Sequence, residues 1–194
     1  VLTLKDVSFV QVLSLGERRG PLQLVVGEER VELLQKGGDG VWALISSAIH
    51  ARKNVAQTSA SARRRSGKPV DVASVYRRLS GQGVTYGERW RVIDSLVTWE
   101  SEVEATLCRQ SPTAAGLHFD PVVLDACVQS TAALFVDDTK SLTYLPEGVG
   151  EVTFWRRELP GSVWTSHVRI TTGDDWLSAD IVLRDESETP LVTM

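Results

Sequence analysis

The chain has 194 residues, of which 42% are hydrophobic, enough for one sizeable core or two small fused modules. Six Trp and an ordinary apolar content exclude disorder, and a net charge of −4 argues against nucleic acid as the main partner. Two cysteines, Cys108 and Cys127, are too few for a disulfide framework or a cysteine-rich zinc site, and no apolar run long enough for a membrane span occurs.

The first third reads as strands. Leu2, Leu4, Phe9 and Val12 lie in a β-prone run, and Leu22, Leu24 and Val26 alternate with less apolar neighbours. Gly27-Glu28-Glu29 signals a turn, Val31 and Leu33 a further short strand, and Gly37-Gly38-Asp39-Gly40 another turn. Val41 to Ala51, carrying Trp42, reads as a longer strand. Residues 54–70 then form a linker rich in Ser, Ala and Arg, with Arg63-Arg64-Arg65 at its centre. No aromatic residue is interleaved there, which favours a solvated linker over a phosphate or nucleic-acid patch.

Beyond the linker, Val72, Val75, Tyr76 and Leu79 follow the spacing of a short amphipathic helix, with Asp71 as its N-cap and Gly81 and Gly83 after its end. Strands are expected around 92–99 and 102–107. Asp120-Pro121 opens the clearest helix, near 121–136, with Leu124, Cys127, Val128, Thr131 and Phe135 as its buried stripe. Alternation then marks a strand through Trp164, Ser166, Val168 and Ile170 and another through Leu177, Ala179, Ile181 and Leu183, before a last short one at Leu191-Val192. Strands outnumber helices and no βαβ alternation appears, so the expected class is α+β, helix packed on antiparallel sheet.

Gly116 to Gln129, with Pro121, Leu124-Asp125 and Gln129, resembles a signature of polyketide synthase dehydratase domains, in which a Pro opens a central helix and Asp is followed one turn later by Gln or His. Residues four apart share a helix face, so Asp125 and Gln129 can enter one cavity. Val75 to Leu79 and Tyr86-Gly87-Glu88-Arg89-Trp90 are similar to that family's helix and Tyr-Gly-Pro-x-Phe turn. Leu145-Pro146 through Val152 is similar to its Leu-Pro motif, and Leu4 to Phe9 with Trp42 matches its opening strands.

The resemblance implies a double hotdog, each curved antiparallel sheet wrapped on a central helix: N-terminal strands over 1–53, the linker at 54–70 and a C-terminal hotdog over 71–194. It also implies a domain of a cytoplasmic modular synthase that removes water from β-hydroxyacyl chains on the phosphopantetheine arm of an acyl carrier protein, with no other cofactor and no metal. A neighbouring ketosynthase, and a homodimer through the hotdog edge, are the other implied partners. Asp125 would be the acid and Gln129 its orienting partner, with Tyr86, Gly87, His118, Leu145 and Pro146 lining the tunnel. On its own terms, an Asp near a helix start is also a common capping or dipole residue.

The chain departs from the family where the base should be. Its His-x-x-x-Gly-x-x-x-x-Pro motif has no counterpart, and the three histidines, His50, His118 and His167, stand elsewhere. Glu88 replaces the usual Pro, Trp90 the usual Phe, and Asp120 a common His. The N-terminal hotdog is therefore expected to be incomplete, lacking its central helix and exposing an apolar sheet face that a further segment or a neighbouring chain must cover. Both ends read as cut from a larger polypeptide. The alternatives are a non-catalytic branching or docking domain partnering a ketosynthase, a double-bond isomerase or pyran-forming cyclase, and a stand-alone hotdog that binds acyl thioesters. Gly-x-Ser-x-Gly and Walker patterns are absent.

Overall fold

A computed structural model describes residues 1–11, 20–52, 66–109, 119–137, 146–173 and 176–194. In chain order its elements are β1 (Leu2–Phe9), β2 (Leu22–Val26), β3 (Arg30–Lys36), β4 (Trp42–Arg52), β5 (Lys68–Val70), α1 (Val72–Gly81), β6 (Ile93–Trp99), β7 (Glu102–Cys108), α2 (Pro121–Gln129), β8 (Gly148–Phe154), β9 (Val163–Thr172), β10 (Leu177–Arg184) and β11 (Pro190–Thr193). Short 3-10 helices cover Glu88–Trp90 and Ser130–Phe135. Val12, the arginine cluster at 63–65, His118 and Leu145 lie outside the described residues. Among the described residues no helix is long and apolar enough to cross a membrane.

Two compact units emerge, one holding β1–β4 with β8, the other the remaining strands and both helices. In the first, the strands run in the order β2-β3-β4-β1-β8, all antiparallel. Asp6, at a φ of 48°, sits where the β1–β4 register slips between Lys5 and Ser8; aspartate enters the left-handed region more readily than bulkier residues. Gly40, at a φ of 83°, turns β3 into β4. Leu24 faces Leu33 and Val26 faces Val31 across β2 and β3, giving one apolar side. No helix covers that side among the described residues of this unit, and Leu2, Leu22, Leu24 and Val26 are exposed.

The second unit has the strand order β11-β10-β9-β7-β6-β5. Alternation in β7 buries Val103, Ala105 and Leu107, and in β9 it buries Trp164, Ser166, Val168 and Ile170. With Leu96, Ile181, Leu183, Leu191 and Val192 these side chains build the core against α2, which touches β7, β9 and β10. Each such Val or Leu contributes about 1.5–3 kcal/mol by leaving water. Asp71 caps α1 by accepting from the backbone N–H groups of Ala73 and Ser74, and Asp120 caps α2 by accepting from Val122.

Three expectations need correction. The buried positions of α2 and the turn after it are Val122, Val123, Ala126, Cys127, Gln129, Ser130 and Ala133, so only Cys127 survives from the stripe read off the sequence. Packing against several strands buries more than one face and erases the single stripe. The α-helix also stops at Gln129. The Ser130 and Thr131 hydroxyls donate to the carbonyls three residues back, Cys127 at 2.7 Å and Val128 at 2.8 Å, and the chain tightens into the 3-10 turn. Finally, Lys68–Val70, inside the stretch read as linker, is the edge strand β5, where Pro69 is tolerated because an edge leaves one side unpaired.

Candidate functional site

Asp125 and Gln129 stand one turn apart on α2, and the structure joins them directly: Gln129 Nε2 donates to Asp125 Oδ2 at 2.6 Å. The same nitrogen donates to the Trp90 carbonyl at 3.2 Å, and Gln129 Oε1 accepts from the Tyr76 hydroxyl at 3.0 Å. Gln129 is buried, whereas Asp125 is partly open. The site is thus an acid at the end of a polar chain embedded in apolar surroundings.

The segment Tyr86 to Arg91 closes one side. Gly87 starts the 3-10 turn that presents the Trp90 carbonyl, and Arg91 Nε donates to the Tyr86 carbonyl at 2.9 Å. The Arg91 guanidinium lies 5.3 Å from the centre of the Tyr76 ring, within cation–π range. Tyr76 and Tyr86 pack edge to face, their ring centres 6.2 Å apart.

Electrostatics follow from this burial. Burial raises the pKa of Asp125, and the hydrogen bond from Gln129 offsets part of the rise. Tyr76 is pushed up to about 12, chiefly by burial and against the pull of the Ile93 N–H and the Arg91 charge. Tyr86 also rises to about 12, first from burial and then from the Asp125 charge. At neutral pH both tyrosines are therefore hydroxyl donors, and neither can take a proton from carbon.

Of the residues expected to form the tunnel, Tyr86 and Gly87 come beside Asp125 and Gln129. Pro146 is exposed and precedes β8 in the other unit, and His118 and Leu145 are not among the described residues. His167 is excluded as a partner of Asp125 by strand alternation. Ser166 and its alternate neighbours Trp164 and Val168 are buried on the core side of β9, so His167 points to the opposite face of the sheet, where Glu102 Oε2 lies 3.2 Å from its Nε2. His50 sits in β4 with its Nε2 3.1 Å from the Gly27 carbonyl. Tyr76 was legible only as part of a helix stripe, and Arg91 not at all; no local pattern announces a hydroxyl that reaches a glutamine 53 positions away.

Residues 55–194 match the family described as the polyketide synthase dehydratase N-terminal domain. The chain belongs to the polyketide synthase dehydratase family. Over 99% of its length it matches the dehydratase domain of RzxB from Pseudomonas fluorescens, with a TM-score of 0.87, 21% identity and 73% of that chain covered. It likewise matches the dehydratase domain from the CurJ module of the curacin polyketide synthase (TM-score 0.82, 21% identity, 99% of this chain and 72% of that chain). GphF dehydratase 1 gives a TM-score of 0.80 at 22% identity, with 99% of this chain and 72% of that chain covered. No curated protein matches it in sequence. The fold of this dehydratase-family chain is a double hotdog of antiparallel sheet and few helices.

Proposed function

We propose that the domain binds β-hydroxyacyl or enoyl thioesters carried on the phosphopantetheine arm of an acyl carrier protein, with Asp125 as the proton donor to the β-oxygen. The observation that carries this reading is the half-buried Asp125 carboxyl, raised in pKa by burial and tied to Gln129, at the family's acid position. In a dehydration, a base takes the α-proton, the carbon–oxygen bond breaks as the double bond forms, and the protonated Asp125 gives its proton to the departing hydroxyl, releasing water. The described residues supply the donor half of that exchange. Within the unit that holds Asp125, His167 faces away from it, and Tyr76 and Tyr86 hold their protons too tightly to act as the base. Among the described residues of that unit the dehydratase site therefore has its donor and no base, and we read the domain as a binder of these thioesters. The same shortage favours one second reading, a non-catalytic branching or docking domain beside a ketosynthase.

The test is mass spectrometry of a carrier-bound 3-hydroxyacyl substrate incubated with the chain and with Asp125→Asn, together with the affinity of each for the same acyl pantetheine. Binding weakened by Asp125→Asn, with no loss of water from either, is the expected result. Loss of 18 mass units, about one water, with the unmutated chain alone would reveal a base and overturn the incomplete-site reading, with His118 the first residue to replace. Equal affinity of the two proteins would overturn the assignment of Asp125.

A further inference from the structure

The Gln129 amide is held at three points. Its nitrogen serves Asp125 Oδ2 and the Trp90 carbonyl, and its oxygen serves the Tyr76 hydroxyl. A primary amide has two N–H donors, so both are committed, and the orientation is set by the partners. A backbone carbonyl can only accept, and so can an ionised Asp125. Turning the amide over would point its oxygen at both and leave the Tyr76 hydroxyl without its acceptor. Protonation of Asp125 removes half of that objection, because a carboxylic O–H can donate to an amide oxygen. What then keeps the amide in place is the Trp90 carbonyl on one side and the Tyr76 hydroxyl on the other.

The Tyr76 phenol is suited to that task. The Ile93 backbone N–H is hydrogen-bonded to the phenol oxygen, which leaves the hydroxyl hydrogen for Gln129. The side chain is buried, its ring is fixed by Tyr86 and Arg91, and α1 is anchored by the Asp71 cap. A hydroxyl pushed up to about 12 keeps its proton at any pH at which the protein works.

We propose that Tyr76 is a positioning residue for Asp125: by donating to Gln129 it fixes the amide nitrogen toward Asp125 Oδ2, so that the proton of the acid resides on Oδ1. Among the described residues Oδ1 has no hydrogen-bond partner, which makes it the oxygen able to meet a substrate hydroxyl. This extends the reading of Asp125 as proton donor and rests on it for its catalytic meaning. The hydrogen-bonded chain itself does not depend on that reading.

Tyr76→Phe keeps the ring and removes the donor, and Gln129→Leu removes the amide. In the full chain labelled with 15N and side-chain 13C, the Gln129 amide pair is identified by its disappearance in Gln129→Leu. In Tyr76→Phe these amide protons are expected to move upfield and exchange faster, and Asp125 to titrate higher, toward its behaviour in Gln129→Leu. Affinity for a 3-hydroxyacyl pantetheine should fall by up to about tenfold, the upper scale of one neutral hydrogen bond. A melting temperature that drops while the Gln129 signals and the Asp125 titration stay as in the parent would mean that Tyr76 only packs, and the proposal would be wrong. If the spectra shift as expected but Asp125→Asn leaves substrate binding untouched, the positioning stands and the reading of Asp125 as donor is what fails.

Discussion

Replacing Asp120 by alanine should unfold the site from its foundation. Asp120 accepts from the Val122 N–H at 2.9 Å as the cap of α2, and its other oxygen pairs with Arg109. Both partners are buried, Arg109 at 8% exposure and Asp120 at 2%. Loss of the cap costs about 1 kcal/mol, and leaving the guanidinium buried without its counterion costs about 3–5 kcal/mol more. The combined loss, roughly 4–6 kcal/mol, is comparable with the whole stability of many domains, about 5–15 kcal/mol. With a urea slope near 2 kcal/mol per molar, the unfolding midpoint should fall by about 2–3 M. Tryptophan fluorescence against urea measures this, and hydrogen exchange in α2 localises it. Asp120→Asn, which keeps a cap acceptor and loses the charge, isolates the ion-pair part. The double replacement Arg109→Leu with Asp120→Ser restores a cap and removes both charges, so it should be more stable than Asp120→Ala. A cost below about 1.5 kcal/mol for Asp120→Ala, or a double variant no better than the single one, would refute the argument that the buried pair anchors the helix.

Two further outcomes are expected. Asp125 has a folded-state pKa above its unfolded value, so its contribution to stability is full at low pH and is lost as pH rises through the folded pKa. Asp125→Asn should therefore match the parent in acid and exceed it at neutral pH; urea titrations at pH 4 and pH 7 that show no such divergence would contradict the raised pKa. In the first unit, β2 is an edge strand of sequence Leu-Gln-Leu-Val-Val without a charge or proline to guard it. Leu24 is 64% exposed, so Leu24→Lys should change stability by no more than about 0.5 kcal/mol while lowering light scattering at high concentration. Unchanged scattering would show that the edge is not what associates.

Much of the second unit was legible because its strands obey a simple rule. Val103, Ala105 and Leu107, or Trp164, Ser166 and Val168, are buried at every second position, and alternation is visible without any knowledge of what covers them. The caps were legible for a similar reason, since Asp71 and Asp120 act on amides two or three residues away. Legibility fails where an element is enclosed. Five of the nine residues of α2 are buried, so its apolar positions carry no single period and the expected stripe was drawn on the wrong residues. Strand β5 fails for the opposite reason: three residues, one of them Pro69, are too short to show a period at all.

The same enclosure explains what was readable of the site. Asp125 and Gln129 could be paired because four residues make one helical turn, a local fact. Tyr76 looked like another core residue, and it is one: it is buried with the apolar side of α1. Its hydroxyl gains a role only because α1 and α2 meet in space, and the burial that disguised it as a packing residue also raises the pKa of Asp125. A polar chain inside a core must satisfy each of its members, so a half-buried acid whose pKa burial raises needs partners for the oxygen it turns inward. Gln129, Tyr76 and the Trp90 carbonyl meet that requirement for Oδ2, and the proton donation proposed for Asp125 therefore falls to the oxygen they leave unoccupied.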